Sequence, residues 1–226
     1  MKDKKDKKKT SHPLYRIIHP WGAPIVKLLT RMHIEGKENI PKEGNFLLCA
    51  NHYSNMDAVV LAAAFPRKRQ LHFMAKIELF KVPFVSGLVT ALGAIKVDRF
   101  ASDVGAIKNT INTLKDNKVV GIFPQGIRYP FKAPEDTPIR PGAAMIAVRA
   151  NVPVLPVLVQ TKNMKFRFFR RTNVYIGKLI TLEELMRQGE SNTDYRPMVE
   201  YIFAQICSLS PCAPLIEGDA QRDHHS

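Results

Sequence analysis

Short apolar runs alternate with amphipathic or small-residue stretches along most of the chain. Residues 46–50, 71–75, 93–97, 119–123, 152–159 and 174–180 have the length and character of buried strands, with Gly, Pro or polar residues at their ends. The run 152–159 keeps that reading despite Pro153 and Pro156. Between these runs, 58–65, 102–116 (with Ser102 as N-cap), 142–150, 182–188 and 195–209 carry helical patterns. Residues 77–92 read as helical pieces bent at Pro83 and Gly87, and 40–44 as a turn. Strands separated by helices predict an α/β fold: a mostly parallel or mixed central sheet flanked by helices on both faces.

The first 33 residues follow other rules. Residues 1–10 hold six Lys and two Asp and cannot supply a core, so 1–12 read as a disordered basic arm. In 14–32, Leu14, Tyr15, Ile17, Ile18, Trp21, Ile25, Val26, Leu28, Leu29 and Met32 are interleaved with Arg16, Lys27 and Arg31. Pro20, Gly22 and Pro24 interrupt this stretch, which predicts two short amphipathic helices rather than one. A basic, Trp-containing amphipathic segment suits a membrane interface, and equally a helix packed on the domain; both hold if different faces serve each. Residues 13–33 are therefore expected to be an amphipathic membrane-associating segment, 34–210 the main domain and 211–226 a loose polar tail.

Composition narrows the class. With 226 residues, 45% of them hydrophobic, the chain can bury one domain's core and is too apolar for a disordered protein. Lys and Arg total 34 against 20 Asp and Glu, a net charge of +14, which calls for an anionic partner without choosing between nucleic acid, membrane and acidic substrate. Cys49, Cys207 and Cys212 lack metal-ligand spacing and are odd in number, which favours free thiols. No run reaches the roughly 18 apolar residues of a membrane-spanning helix, and no signal-peptide cleavage site is evident.

The candidate chemistry sits where strands end. The run 46–50 leads into Asn51 and His52, and Asp57 opens the next helical run. On a continuous helix residues five apart point roughly 140° away from each other, so this pair can meet only across a turn. A carboxylate on one imidazole nitrogen fixes the tautomer and leaves the other nitrogen to take a proton from a hydroxyl. The alternative is a strand-end His and a helix-capping Asp. Other strand ends add Lys76, Asp98-Arg99 and the turn Pro124-Gln125-Gly126-Ile127-Arg128. If Lys76, Arg99 and Arg128 gather near His52, they form a cationic pocket suited to a phosphate, with Gly126 letting backbone approach it.

Four blocks carry a resemblance. They are Asn51-His52 through Asp57, Gly93 through Arg99 (GAIKVDR), 123–128 (FPQGIR) and 152–157 (VPVLPV), helped by FMAK at 73–76 and Glu78-Leu79-Phe80. In this order they resemble the 1-acylglycerol-3-phosphate acyltransferase family of glycerolipid synthesis, over roughly residues 34–180. The resemblance implies a glycerolipid acyltransferase-like fold in which His52 is the general base and Asp57 orients it. The acceptor hydroxyl then attacks an acyl thioester directly, while Arg99 and Arg128, with Gly126 and Lys76, hold the acceptor phosphate. Backbone amides of the turn near Gly126, or at the start of the helix after Asp57, would face the oxyanion. Asn51, Gly93, Pro124, Gln125 and Pro153 belong to the blocks without an assigned role. Gln125 and Ile127 stand where the family has Glu and Thr. An amide keeps the size and the acceptor oxygen and loses the charge, so a tolerated variation is the reading favoured over a changed acceptor or a reduced rate.

The expectation is thus a peripheral enzyme at the cytoplasmic face of the membrane, making phosphatidic acid from lysophosphatidic acid and acyl-CoA or acyl-acyl carrier protein. The apolar helices around 82–92 would line an acyl groove. The thioester supplies the activation, so no metal or bound cofactor is implied. One rival keeps the chemistry and changes the acceptor to another lysophospholipid or phosphate-bearing alcohol. Another is a non-catalytic basic protein binding lipid surfaces or nucleic acid. Only residues 165–171 (KFRFFRR) interleave aromatic and basic side chains as a nucleic-acid platform would, and on a membrane enzyme they read as a headgroup-facing surface, so no nucleic acid is expected.

Overall fold

The computed structural model describes residues 12–83, 85–97 and 104–210. Arg99, Ser102, residues 1–11 of the basic arm and the polar tail lie outside the described residues.

Seven strands form one sheet: β1 (His33–Glu35), β2 (Leu47–Ala50), β3 (Leu71–Lys76), β4 (Ile95–Val97), β5 (Val119–Ile122), β6 (Val154–Thr161) and β7 (Thr172–Ile176). Their order is β1-β7-β6-β2-β5-β3-β4. The strands β6, β2, β5, β3 and β4 run parallel, so β2 to β5 all end at one edge. β7 is antiparallel to β6 and pairs in parallel with β1. The sequence explains the reversal. The connection between β6 and β7, residues 162–171, holds no helix beyond a 3₁₀ turn at Lys162–Met164, whereas a parallel crossover needs about a dozen residues or more, usually with a helix.

Alternation along β2 builds the two cores. Leu47 and Cys49 face a cluster with Leu114 of α4 (Val104–Lys115), Ala147 of α5 (Gly142–Ala150) and Ile202 of α7 (Tyr195–Cys207). Leu48 and Ala50 face the opposite cluster with Val60 and Leu61 of α2 (Asp57–Ala64). All four β2 residues are fully buried, as a central strand covered on both faces requires. Truncating Leu48 to Ala at such a position costs ~2–5 kcal/mol. The short helices α3 (Val85–Ala91) and α6 (Leu182–Met186) complete the set.

The N-terminal segment departs from expectation. It is one helix, α1 (Pro13–Leu29), running through both Pro20 and Pro24. Both prolines lie on the exposed side, where the carbonyls they leave unbonded can be hydrated. Tyr15 and Ala23 are buried on the other side, and His19 Nε2 lies 3.2 Å from the carbonyls of Ala62 and Phe65, which ties α1 to the end of α2. Tertiary packing holds a helix that local propensity would break. The other differences are small. β1 is too short to register in a pattern. The strand expected at 93–97 starts at Ile95, because Gly93 sits at φ +66 in a turn. The strand expected at 174–180 spans Thr172–Ile176, with Ile180 in an isolated bridge to Val154. Pro156 lies inside β6 one residue before its pairing with β7 begins at Val157, so its missing N–H breaks no ladder bond on that side.

Candidate active site

At the end of β2, Asn51 extends the strand with its side chain. Nδ2 donates to the Val159 carbonyl at 2.8 Å and Oδ1 accepts from the Val159 amide at 2.7 Å. This fully buried amide takes up both polar groups of one β6 residue and fixes where the chain leaves the sheet. Pro153 acts one level below: its carbonyl accepts the Leu47 amide at 3.0 Å and sets the β2–β6 register.

His52 follows, and its main chain is held on both sides. Its amide donates to Gln125 Oε1 at 2.6 Å, and its carbonyl accepts from Tyr129 at 2.9 Å. Residues 53–56 make the turn that the spacing demanded, with the Asp57 amide donating to the Ser54 carbonyl at 3.1 Å. Asp57 is therefore the first residue of α2, with Met56 at the cap position. Its Oδ2 accepts from His52 Nδ1 (2.8 Å) and from the amides of Tyr53 (2.7 Å) and Ser54 (2.8 Å). A carboxylate only accepts, so Nδ1 carries the hydrogen and Nε2 presents a lone pair. The Asp57 side chain is buried and that of His52 is 16% exposed, so the pair opens outward on the histidine side alone. Among the described residues Nε2 has no hydrogen-bond partner.

The ring plane of His52 is set by a stack. Phe123 lies parallel to it, centroids 3.9 Å apart and planes 8° apart, and Phe73 stacks on the far side of Phe123 at 5.5 Å. Gly121 makes room: a Cβ there would stand 2.2 Å from the Phe73 ring. The glycine inside the run 119–123 was the signal for this close approach.

Gln125, 1% exposed, bridges two elements. Its oxygen holds the His52 amide, and its Nε2 donates to Thr137 Oγ1 at 2.7 Å; the Thr137 hydroxyl passes its own hydrogen to the Pro134 carbonyl at 2.6 Å. Gly126 sits at φ +72, and a Cβ on it would come within 3.0 Å of Arg140 Cδ. The Arg140 amide donates to the Pro124 carbonyl at 2.8 Å, which fixes this arginine beside the turn. The Gly126 amide donates to Phe123 at 2.9 Å, so it is engaged within the turn and does not face a ligand. Arg128 is exposed, and among the described residues neither Arg128 nor Arg140 has an ion-pair partner. Lys76 closes β3 at the same edge; its side chain lies outside the described residues, as does Arg99.

Gly93 has a structural part. Its carbonyl accepts from His72 Nδ1 at 2.7 Å, and a Cβ would meet that ring at 2.3 Å. Cys49 and Cys207 are free thiols; burial pushes the first far up and the second to about 11, so neither is an activated nucleophile. Gly121, Thr137 and Arg140 are site residues that lie outside the sequence blocks, while Phe73 and Phe123 belong to those blocks and had no part assigned to them.

At this parallel sheet edge stands a histidine oriented by a buried carboxylate, and arginines without ion-pair partners among the described residues lie on and beside the adjoining turn, an arrangement chemically able to take a proton from a hydroxyl next to an anionic group. The comparisons make this specific. The family described as Acyltransferase matches residues 31–160. A 1-acyl-sn-glycerol-3-phosphate acyltransferase of Bacillus subtilis is 31% identical over 198 residues, 88% of this chain and 89% of that protein. One of Borreliella burgdorferi is 28% identical over 180 residues, 76% and 68% of the two chains. The crystal structure of the 1-acyl-sn-glycerophosphate (LPA) acyltransferase PlsC of Thermotoga maritima superposes with a TM-score of 0.66 at 26% identity, covering 88% of this chain and 81% of that one. The chain belongs to the acyltransferase family, and it is an acyl-transferring enzyme.

Proposed function

We propose that this protein moves a fatty acyl group from an acyl thioester to the free hydroxyl of 1-acylglycerol 3-phosphate, giving phosphatidic acid. The observation that carries this reading is His52, with Nδ1–H on Asp57 and a lone pair on Nε2. Nε2 takes the proton of the acceptor hydroxyl as its oxygen attacks the thioester carbonyl carbon. Asp57 stabilises the imidazolium so formed. Collapse of the tetrahedral intermediate breaks the carbon–sulfur bond, and the thiolate leaves with the proton returned by His52. The carbonyl oxygen needs donors while it is negative. Among the described residues the amides of Ile127 and Arg128, next after the engaged Gly126, have no hydrogen-bond partner and are the donors we assign.

Arg128 and Arg140 are the cations we assign to the acceptor phosphate, with Lys76 and Arg99 as further members by their place in the family's blocks. The acyl chain is assigned to the apolar surface of 82–92, where Val82 is 44% exposed. Acyl-CoA and acyl-acyl carrier protein are both anionic and both suit a chain of charge +14. The relatives of Bacillus subtilis and Borreliella burgdorferi, both 1-acyl-sn-glycerol-3-phosphate acyltransferases, support the same acceptor.

A peripheral place on the cytoplasmic face of the membrane belongs to this reading. Leu14, Ile17, Ile18, Trp21, Ile25 and Leu28 form one exposed stripe on α1, opposite the buried Tyr15 and Ala23. Among the described residues no helix is long and apolar enough to cross a membrane. The test is thiol release from acyl-CoA or acyl-acyl carrier protein with lysophosphatidic acid. Wild type should turn over, and His52→Ala should lose at least about 10²–10⁴-fold in kcat with an unchanged circular dichroism spectrum. A wild type that releases no thiol with either donor ends the proposal.

A further inference from the structure

The fold places residues 165–171 at the catalytic edge. β6 ends at Thr161 and β7 begins at Thr172, and their antiparallel pairing brings the connection to the edge where β2 and β5 deliver His52 and Gln125. A string of main-chain bonds runs from the base to this connection. Tyr129 donates to the His52 carbonyl, Phe131 to Met164 at 3.2 Å, and Phe169 to Leu29 at the end of α1 at 2.6 Å. The same rim therefore joins His52, the turn after Gln125, the loop and the exposed helix.

The side chains on this rim are sorted. Phe166 is turned inward against the cluster beside α2 and meets Phe168 edge-on at 5.3 Å. Phe168 and Phe169 are 53% and 69% exposed, and Phe131 is 61% exposed with Lys165 Nζ 4.9 Å over its ring. Phe169 stands at φ +62, an uncommon conformation for a bulky residue, held by its bond to Leu29. Arg167, Arg170 and Arg171 flank the two rings, and no acidic residue occurs in 162–171. Exposed aromatic tips bracketed by guanidinium groups match an anionic bilayer surface, where rings enter the acyl boundary and cations meet lipid phosphates. A nucleic-acid platform would instead lay its rings open for bases to stack on, whereas here Phe166 is turned inward and meets Phe168 edge-on.

We infer that the Phe168-Phe169 loop, with Phe131, is a second membrane-inserting edge that seats the catalytic end of the sheet on an anionic bilayer and admits the lipid acceptor to His52 from the membrane plane. It rests on the acyltransferase reading and on α1 as the first anchor. The loop holds the site against the bilayer; α1 alone would tether it without fixing its orientation.

The test pairs Phe168→Ser/Phe169→Asn, in which Asn suits the left-handed backbone, with Trp21→Ser/Leu28→Ser on α1. Partition onto vesicles of phosphatidylglycerol and phosphatidylcholine is measured, together with thiol release on lysophosphatidic acid in those vesicles and on a short-chain, monomeric acceptor. Removing two inserted rings should weaken vesicle binding by about tenfold or more, with a matching loss of turnover on the vesicle acceptor and less than about twofold on the monomeric one. Unchanged vesicle binding in the loop variant, while the α1 variant loses it, overturns the inference and leaves the α1 anchor standing. Equal loss on both acceptors overturns it too, since the loop would then serve the chemistry. So does oligonucleotide binding that the loop variant loses while vesicle binding stays. A wild type releasing no thiol removes the proposed reaction and the delivery of acceptor with it, while vesicle partition lost in the loop variant still upholds the membrane edge.

Discussion

The side-chain oxygen of Gln125 lies 2.6 Å from the main-chain nitrogen of His52, spanning from the end of β5 to the end of β2. Because the same amide donates to Thr137, it clamps the histidine's backbone to the loop before α5. Both functions need an acceptor facing His52, and only the second needs a donor. A carboxylate at 125 would keep the first contact and could accept the Thr137 hydroxyl, which would then release the Pro134 carbonyl. Gln125→Glu should fold and keep turnover within about tenfold, its cost being one buried charge that two donors offset. Gln125→Met fills the space and satisfies neither group. It should lose ~1–3 kcal/mol in urea unfolding and most of its turnover. An unaltered Gln125→Met enzyme would remove Gln125 from any positioning role.

Gly121 and Phe73 make the second prediction. A methyl at 121 would displace the Phe73 ring, which stacks on Phe123, the ring on which His52 rests. Gly121→Ala should cost about 1–3 kcal/mol from overpacking, and should lower kcat more than KM. The smaller side chain of Phe73→Leu should restore part of both in the double variant. Additive losses, measured by urea midpoints and thiol release, would mean that the stack does not transmit the change.

The sheet and the pairing of His52 with Asp57 were legible in the sequence for the same reason. Strands buried on both faces must be nearly all apolar, so 46–50 and 119–123 announce themselves, and the polar residues after them are conspicuous. The stack was hidden because Phe123 looks like one more apolar residue at a strand end; only Gly121 hinted that a ring must pass close by. Arg140 was hidden by distance along the chain. Its relation to Gly126 depends on a bond from its amide to Pro124, which no local pattern encodes. The continuity of α1 was illegible for an opposite reason: local rules pointed clearly to a break, and packing against α2 overrode them.

Arg140 and Arg128 flank the same turn, yet only Arg140 lies against Gly126 with its backbone fixed. Arg140→Ala should raise KM for the lysophosphatidic acid acceptor by about tenfold or more, the loss of a charge-assisted contact, and leave KM for the thioester within about threefold. Arg140→Lys should recover only part, because an ammonium lacks the planar fork. A larger effect on the thioester would reassign Arg140 to the donor's phosphates. Melting curves for each variant exclude a general loss of folding.

The last prediction concerns pH and stability. His72 donates from Nδ1 to the Gly93 carbonyl, and its buried Nε2 has no partner among the described residues. Burial lowers its pKa below the ordinary 6.5, with the Gly93 bond opposing and Lys118 adding to the shift. His19 is lowered as well, chiefly by burial, so it acts in the same direction. The unfolded chain therefore takes up a proton near 6.5, while the folded chain refuses it until lower pH. Between those two values the unfolded state binds more protons, so stability falls as pH falls through the window and levels off below the folded value. In His72→Asn the titration is gone and an amide donor remains to face the Gly93 carbonyl. Urea midpoints taken from about pH 8 down to about pH 5 should decline less steeply for that variant than for wild type. Parallel profiles would mean that the buried imidazole is protonated as readily in the folded protein as in the unfolded one.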